Sequence, residues 1–124
     1  LITGGSQQSP DWLARNGDGW MIYPQSAAFQ RDVIGEWRDA ADAAGAPAKP
    51  VMQPLYVDLV DDPKARPQPI HLGYRLNAGD LVTYLRGLQD VGMNHVALNL
   101  RFHSSDVEDA LRRIATDVLP AFHD

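Results

Sequence analysis

The sequence predicts an α/β fold in which short parallel strands alternate with helices. Apolar runs recur along the 124 residues, and a segment with helical spacing of its apolar positions follows each run. A strand followed by a helix, repeated four times, favours parallel pairing with right-handed crossovers. Two architectures satisfy this order: a doubly wound sheet, or one half of a (β/α)8 barrel, because a complete barrel of eight such units takes about 250 residues.

Capping residues bound the first strand–helix unit. A strand over residues 1–3 leads through small residues to a helix that Ser9 caps, with Pro10 at its first helical position. Asn16 and Gly17, a common C-terminal pair, end that helix. Because the chain begins inside this apolar strand and not with Met, we expect it to be part of a longer protein.

The second unit has a strand over residues 19–23 and a helix over 26–44 that Gly45 ends. Apolar positions four residues apart predict the buried face of that helix, which is Phe29, Val33, Trp37 and Ala41. The third strand is expected over 55–60, because Pro54 limits how early the chain can join a sheet.

A loop over residues 61–69, rich in proline and charge, precedes a helix that Asn77 caps and Gly92 ends. The apolar face of this helix follows the i, i+3, i+4, i+7 pattern, with Leu81, Tyr84, Leu85 and Leu88. The fourth strand covers 95–100, and the Ser-Asp-Val-Glu motif at 105–108 predicts a capping box. The last helix is expected to bury Val107, Leu111, Ile114, Ala115 and Val118.

Composition argues against several classes of function. The net charge is −5 and no basic cluster occurs, so nucleic acid and anionic membrane are poor partners. No apolar run reaches the roughly 18 residues that span a bilayer. The absence of cysteine excludes disulfides and thiolate chemistry and agrees with a reducing cytoplasm, where we expect the protein. The histidines lack a two-ligand spacing, so we predict no metal site.

Four stretches of the chain, taken in order, are similar to one known family. They are LITGGSQQSPDWLA continuing to NGDGW (residues 1–20), HLGYRL with GMNHVALNLR (71–76 and 92–101), and VLPAF (118–122). They resemble the fifth to eighth strand regions and the closing helix of the bacterial luciferase-like monooxygenase superfamily. The resemblance implies the C-terminal half of a (β/α)8 TIM barrel, as a single domain over 1–124 that lacks the N-terminal half.

The resemblance also implies a flavin phosphate site at the first strand–helix junction. Glycines let a phosphate approach the backbone closely, and the first helical turn presents N–H groups with about half a positive charge. The positions expected to bind the cofactor are Gly4, Gly5, Ser6, Gln7, Ser9 and Trp20. The residues by themselves permit another interpretation, a tight turn in which Ser9 is only a helix cap.

The activity implied by the resemblance is that of a flavin-dependent oxidoreductase or monooxygenase acting on a small molecule. The expected cofactor is FMN, with a deazaflavin coenzyme as the alternative and NAD(P)H as a possible reductant. Two other classes stay open. One is a non-catalytic flavin-binding protein, and the other is a barrel fragment that forms a homodimer to cover its sheet edges.

Other residues near strand ends are candidates for the site, each with a structural alternative. Trp20 or Tyr23 could flank a flavin ring or pack in the core. Asp58 must face the barrel mouth or pair with a cation, because an unpaired buried carboxylate is costly. Arg75 could bind a phosphate or an acidic substrate, or form a surface ion pair.

The histidines are weaker candidates, and the catalytic residues stay unassigned. His71 and His103 could transfer protons, since the ordinary pKa of histidine is near 6.5. A structural role is the alternative for both. His95 lies at the start of a strand, on the wrong face of a barrel for catalysis. His123 belongs to the C-terminal tail.

Overall fold

A computed structural model of the chain describes residues 2–3, 8–47 and 49–123. They form two compact units, one of Leu1–Pro54 with Gly87–Ala97 and one of Leu55–Arg86 with Leu98–Asp124. Within the described ranges, no helix is both long enough and apolar enough to cross a membrane.

The first unit alternates strands and helices. β1 (Ile2–Thr3) pairs in parallel with β2 (Trp20–Met21), and β2 pairs in parallel with the start of β3 (Val51–Leu59). α1 (Pro10–Asn16) follows β1, and α2 (Ala27–Ala43) follows β2. The predicted alternation and the predicted parallel pairing are confirmed in this unit.

Serine caps begin both helices of this unit. Ser9 Oγ accepts a hydrogen bond from the Trp12 backbone N–H at 3.2 Å, and Ser26 Oγ accepts one from the Phe29 N–H at 3.2 Å. Each hydroxyl satisfies one of the N–H groups that the first helical turn leaves without an intrahelical partner. Gly45 follows α2 at φ +67°, a left-handed conformation that glycine adopts without steric cost.

The buried face of α2 differs from the predicted face. Its buried residues are Gln30, Ile34, Trp37 and Ala41. The prediction was therefore right at Trp37 and Ala41 but wrong at Phe29, which is 52% exposed, while Val33 is half-buried. Gln30 takes the buried position because its side-chain Nε2 donates to Oε1 of Gln53 on β3, which is also buried. Hydrophobic spacing does not detect a polar residue that is buried with a partner.

β3 begins at Val51, four residues before the predicted start, although it contains Pro54. The expectation that this proline delays the strand was wrong. Met52 pairs with Met21 and Tyr56 pairs with Gly73, and Pro54 lies between these paired positions. A missing backbone N–H is tolerated there.

The second unit contains a hairpin where the sequence predicts a loop and the segment before Asn77. β5 (Gly73–Leu76) pairs in parallel with the second half of β3, and β4 (Gln68–Ile70) pairs antiparallel with β5. β4 is three residues long and contains Pro69, so no alternating apolar pattern reveals it. The expectation of parallel strands alone is corrected by this antiparallel pair.

Gly73 is required where the hairpin meets β3. A Cβ atom at this position would overlap the backbone carbonyl of Tyr56. The same register pairs Asp58 with Arg75. The glycine therefore permits the close approach of two strands that brings a cation opposite a carboxylate.

The remaining helices begin at side-chain caps. The predicted cap of α3 (Ala78–Asp90) is confirmed, because Asn77 Oδ1 accepts from the Asp80 N–H at 2.8 Å. β6 (His95–Asn99) pairs with β3. α4 (Val107–Arg113) begins at Asp106, whose carboxylate accepts from Asp109 N–H at 3.3 Å. The cap is one residue later than the predicted capping box.

The last helix buries only part of the set of side chains that the sequence predicts. α4 continues into a π-helical turn, Ile114–Val118, and a 3-10 turn, Leu119–Ala121. Ala110, Ile114 and Val118 are buried, as predicted for the last two. The prediction was wrong for Val107, Leu111 and Ala115, which form an exposed row. Both rows have i, i+4 spacing, so periodicity does not choose between them.

Candidate functional site

The predicted phosphate junction lies only partly within the described residues. Gly4, Gly5, Ser6 and Gln7 lie outside them. Ser9 is exposed at the first turn of α1, and its Oγ accepts from Trp12 N–H, which leaves the hydroxyl hydrogen to donate elsewhere. Asp11 in the same turn pairs with Arg15, with 3.3 Å between Oδ2 and Nε. β1 is parallel to β2, the pairing that a cofactor site at this junction requires.

Trp20 lies in the core of the first unit. It is 7% exposed, and its ring stacks on Trp37 with 5.4 Å between ring centroids and 28° between planes. Tyr23, two residues later, is 45% exposed. The burial of Trp20 favours the structural alternative, while its contact with a cofactor ring stays a prediction.

In the second unit, a buried carboxylate contacts three other residues. Asp58 is 1% exposed and receives a hydrogen bond from Arg75 Nε to Oδ2 at 2.8 Å. Ser104 donates twice to Oδ1, from its backbone N–H at 3.1 Å and its hydroxyl at 2.9 Å. Together with His103 we name these residues the Asp58 cluster. The prediction that Asp58 pairs with a cation if it is buried is confirmed, and the cation is Arg75.

The surroundings of Asp58 favour its ionised form. Burial raises the pKa of this carboxyl group. The hydrogen bonds from Arg75 and Ser104, together with the charge of Arg75, lower the pKa by a larger amount. The net result is a pKa below the ordinary value of 3.8. Asp58 is therefore a carboxylate at neutral pH.

The side chain of His103 is fully buried beside Asp58, with 3.3 Å between its Nδ1 and Oδ1 of the carboxylate. The Leu59 backbone N–H donates to the same Nδ1 at 3.1 Å. A ring nitrogen that accepts a hydrogen bond carries no proton, so we assign the ring proton to Nε2. Nε2 lies 3.0 Å from the hydroxyl of Ser105 and donates to it.

The arrangement of Asp58, His103 and Ser105 follows the order of a Ser-His-Asp triad but has the wrong tautomer for one. A serine nucleophile needs an unprotonated nitrogen facing its hydroxyl, and it needs the other ring N–H to bond the carboxylate. In this structure Leu59 occupies the nitrogen near Asp58. The geometry therefore does not activate Ser105 as a nucleophile.

Three aromatic rings lie next to the Asp58 cluster. Tyr56 precedes Asp58 by two residues and so shares its face of β3. The centroid of its ring is 4.7 Å from that of Phe102 and 6.0 Å from that of His71. We name Tyr56, His71 and Phe102 the aromatic group. The predicted candidate His71 thus lies among rings, while His95 at the start of β6 and His123 near the C-terminus are both exposed.

A separate cavity of about 550 Å³ lies at the end of β3, beside the first turn of α3. Arg113 lines it but is already bonded, since its guanidinium donates to Val60 O at 2.9 Å and pairs with Asp61 at 2.5 Å. Asp80 and Asp117 add two further carboxylates to the lining. Carboxylates therefore outnumber the single guanidinium in this lining, which disfavours binding of an anion. Among the described residues, no group of three histidine, aspartate or glutamate side chains is arranged to hold a metal ion.

Tyr56, Phe102 and Ser104 belong to this site but were not predicted from the sequence. Tyr56 could have been found, because alternation along β3 places positions 56 and 58 on one face. Phe102 and Ser104 lie in the loop after β6, where no periodic signal exists. Their proximity to Asp58 depends on the tertiary fold.

Comparison with known proteins identifies the architecture. No protein-family model matches the chain, and no curated protein matches it. Among solved structures it is similar to an F420-dependent secondary alcohol dehydrogenase in complex with an F420–acetone adduct, with a TM-score of 0.72 and 15% sequence identity. The match covers 99% of this chain and 48% of that chain. The chain therefore has an α/β fold that corresponds to one half of a (β/α)8 barrel.

Proposed function

We propose that this chain is the cofactor-binding half of a deazaflavin-dependent oxidoreductase of the luciferase-like superfamily. The observation that carries the proposal is the structural similarity of nearly the whole chain to half of an F420-dependent dehydrogenase. The sequence motifs at residues 1–20 and 92–101 support the same superfamily by an independent route. A complete barrel needs a second half, so the activity of the whole enzyme belongs to the proposal.

The similarity favours the deazaflavin coenzyme over FMN, although FMN was the first cofactor predicted from the sequence. The structural neighbour depends on F420, and its structure contains an adduct of that coenzyme. FMN and F420 both carry a flavin-like ring and a phosphate, so one strand–helix junction suits either molecule. When bound, the deazaflavin would transfer a hydride to or from a small-molecule substrate.

Ser9 is the described residue that supports phosphate binding at this junction. It follows β1 at the start of α1, where the N–H groups of the first turn carry partial positive charge. Its hydroxyl oxygen accepts from Trp12, and its hydrogen is available for a phosphate oxygen. We include Gly4, Gly5, Ser6 and Gln7 in the proposed phosphate site.

Two matched serine caps provide the test. Aspartate caps a helix as well as serine does, so Ser9→Asp and Ser26→Asp should both fold normally. Only Ser9→Asp would place a negative charge beside the proposed phosphate site. We expect F420 affinity, measured by titration of coenzyme fluorescence, to fall at least about tenfold in Ser9→Asp, the scale of a lost charged hydrogen bond.

In the control variant Ser26→Asp, the F420 affinity should stay within about twofold of wild type, because surface changes have small effects. Equal affinities of the two variants would refute the phosphate site. A parallel titration with FMN distinguishes the two coenzymes, since we expect F420 to bind more tightly. The homodimer stays a prediction, and light scattering of the purified chain tests it.

A further inference from the structure

We propose that Arg75 and the aromatic group form a binding site for a planar organic carboxylate. The proposal deepens the proposed function, on which it rests when it identifies this ligand class as the substrate. The site lies entirely within the second unit and is separate from the Ser9 junction in sequence. Binding of the carboxylate itself does not require the cofactor.

Arg75 has unused hydrogen-bond donors. Its Nε bonds Asp58, and its two terminal nitrogens have no hydrogen-bond partner within residues 2–3, 8–47 and 49–123. The side chain is 47% exposed, so these nitrogens are accessible. The planar guanidinium presents its N–H groups in a fork that matches a carboxylate in two parallel hydrogen bonds.

Asp58 holds this guanidinium in place without using its terminal nitrogens. Both donors of Ser104 bond the other carboxylate oxygen, so Asp58 is fixed within the fold. The bond from Arg75 Nε then fixes the orientation of the guanidinium. A pre-oriented group loses less conformational entropy when it binds a ligand than a free surface arginine does.

The aromatic group supplies the apolar part of the site. Tyr56 and Asp58 are two residues apart on one face of β3, a separation of about 7 Å between their Cα atoms. Phe102 is 44% exposed although its ring contacts both Tyr56 and His71. A ligand whose carboxylate binds Arg75 can therefore place a ring of ordinary size against these side chains.

Comparison with Arg101 and Arg113 supports Arg75 as the residue that binds the carboxylate. Arg113 donates to Val60 O and pairs with the carboxylate of Asp61, so its charge is already balanced by an acidic neighbour. Arg101 lies over the Phe102 ring, 5.6 Å from its centroid, and adds positive charge on the aromatic side. Both features favour an anion with an aromatic or conjugated body near Arg75.

Benzoate and benzyl alcohol are matched probes for the test, since they differ in the carboxylate and share the ring. Binding to the purified chain without cofactor is measured by calorimetry and by NMR. We expect benzoate to bind at least about tenfold more tightly than benzyl alcohol, the scale of a charge-assisted hydrogen-bond pair. The Arg75 Nε–H signal and the ring signals of Tyr56 and Phe102 should shift together.

Variants identify the residue responsible. Arg75→Gln should weaken benzoate binding at least about tenfold, and the exposed Arg86→Gln, which changes charge equally, should leave it unchanged. If Arg75→Gln does not fold, the wild-type NMR titration decides the question. Benzoate shifts confined to other residues would overturn the proposal, as would equal affinity for benzyl alcohol. Inorganic phosphate that binds as tightly as benzoate would also overturn the role of the rings.

The two proposals fail separately. Benzoate binding that depends on Arg75, combined with no binding of F420, would support the carboxylate site and refute the proposed function. F420 binding that depends on Ser9, with no benzoate binding, would support the proposed function and refute the carboxylate site.

Discussion

Two polar side chains buried on the same strand are treated very differently by their surroundings. Gln53 in the first unit meets Gln30 of α2, and Oε1 of Gln30 is buried without a hydrogen-bond partner among the described residues. Asp58 in the second unit receives three hydrogen bonds, from Arg75 and Ser104. Both strand residues are essentially inaccessible to solvent.

The difference indicates which buried polar group belongs to a built site. A neutral amide pair with one unsatisfied oxygen costs stability and offers no group to a ligand. A carboxylate that is saturated by its neighbours fixes those neighbours, and in this case it leaves the outer donors of Arg75 free. The Gln30–Gln53 pair is therefore structural, and the Asp58 cluster has the organisation of a binding site.

The largest expected effect comes from breaking the register that creates the Asp58 cluster. Gly73→Ala would place a methyl group against the Tyr56 carbonyl, so β5 would have to move away from β3. We expect a loss of about 3–5 kcal/mol in the free energy of unfolding, measured by urea denaturation.

A second glycine provides the control. Gly87 lies in α3 with no heavy atom within 4 Å of its would-be Cβ. Gly87→Ala should stabilise the protein by about 0.5–1 kcal/mol, because alanine favours the helix. If Gly73→Ala behaved like Gly87→Ala, the close approach of the two strands would be wrong.

Removing the carboxylate should have the next largest effect. Asp58→Ala leaves the two Ser104 donors and the Arg75 Nε without their acceptor. We expect a loss of about 2–4 kcal/mol in the free energy of unfolding. Asp61→Ala is the comparison, since Asp61 is 85% exposed, and it should change stability by less than about 1 kcal/mol. Similar losses in both variants would contradict the special position of Asp58.

Acid should selectively remove the contribution of Asp58. Because its pKa in the folded protein is below the ordinary 3.8, its ionised form stabilises the fold above about pH 4, and this stabilisation is lost as the pH falls through the lowered pKa. The stability difference between wild type and Asp58→Asn should therefore be largest near neutral pH and shrink below about pH 4. Urea titrations at several pH values measure it, and a constant difference would contradict the assignment.

The smallest effect is expected at the neutral pair. Gln30→Met removes one hydrogen bond to Gln53 but also removes a buried oxygen that has no partner in the described structure. These terms oppose each other, so the free energy of unfolding should change by less than about 1 kcal/mol. A loss as large as that of Asp58→Ala would show that both buried groups contribute equally to the free energy of unfolding.

The order of strands and helices could be predicted from local signals. Helix caps at Ser9 and Asn77 are determined by neighbouring residues, and both were found. The β4–β5 hairpin was missed because Pro69 and the charged residues before it hide the alternation of its short strands. Strand pairing that depends on a glycine contact, as at Gly73, is set by tertiary structure.

The candidate site was predictable only in part. Asp58 required a cation by simple electrostatics, and Arg75 was already a candidate for anion binding. Their pairing depends on the register between β3 and β5, and Ser104 reaches the carboxylate from a distant loop. Apolar periodicity likewise placed Phe29 in the core, since it carries no information about the Gln30–Gln53 hydrogen bond.

The most direct test of the central claim compares the F420 coenzyme with its phosphate-free analogue. Equilibrium titration of each against the purified chain measures the contribution of the phosphate together with the groups that it carries. We expect the coenzyme to bind at least about tenfold more tightly, and we expect Ser9→Asp to abolish most of that preference. Equal affinity for the two molecules would contradict the proposal that this half-barrel binds a deazaflavin through its phosphate.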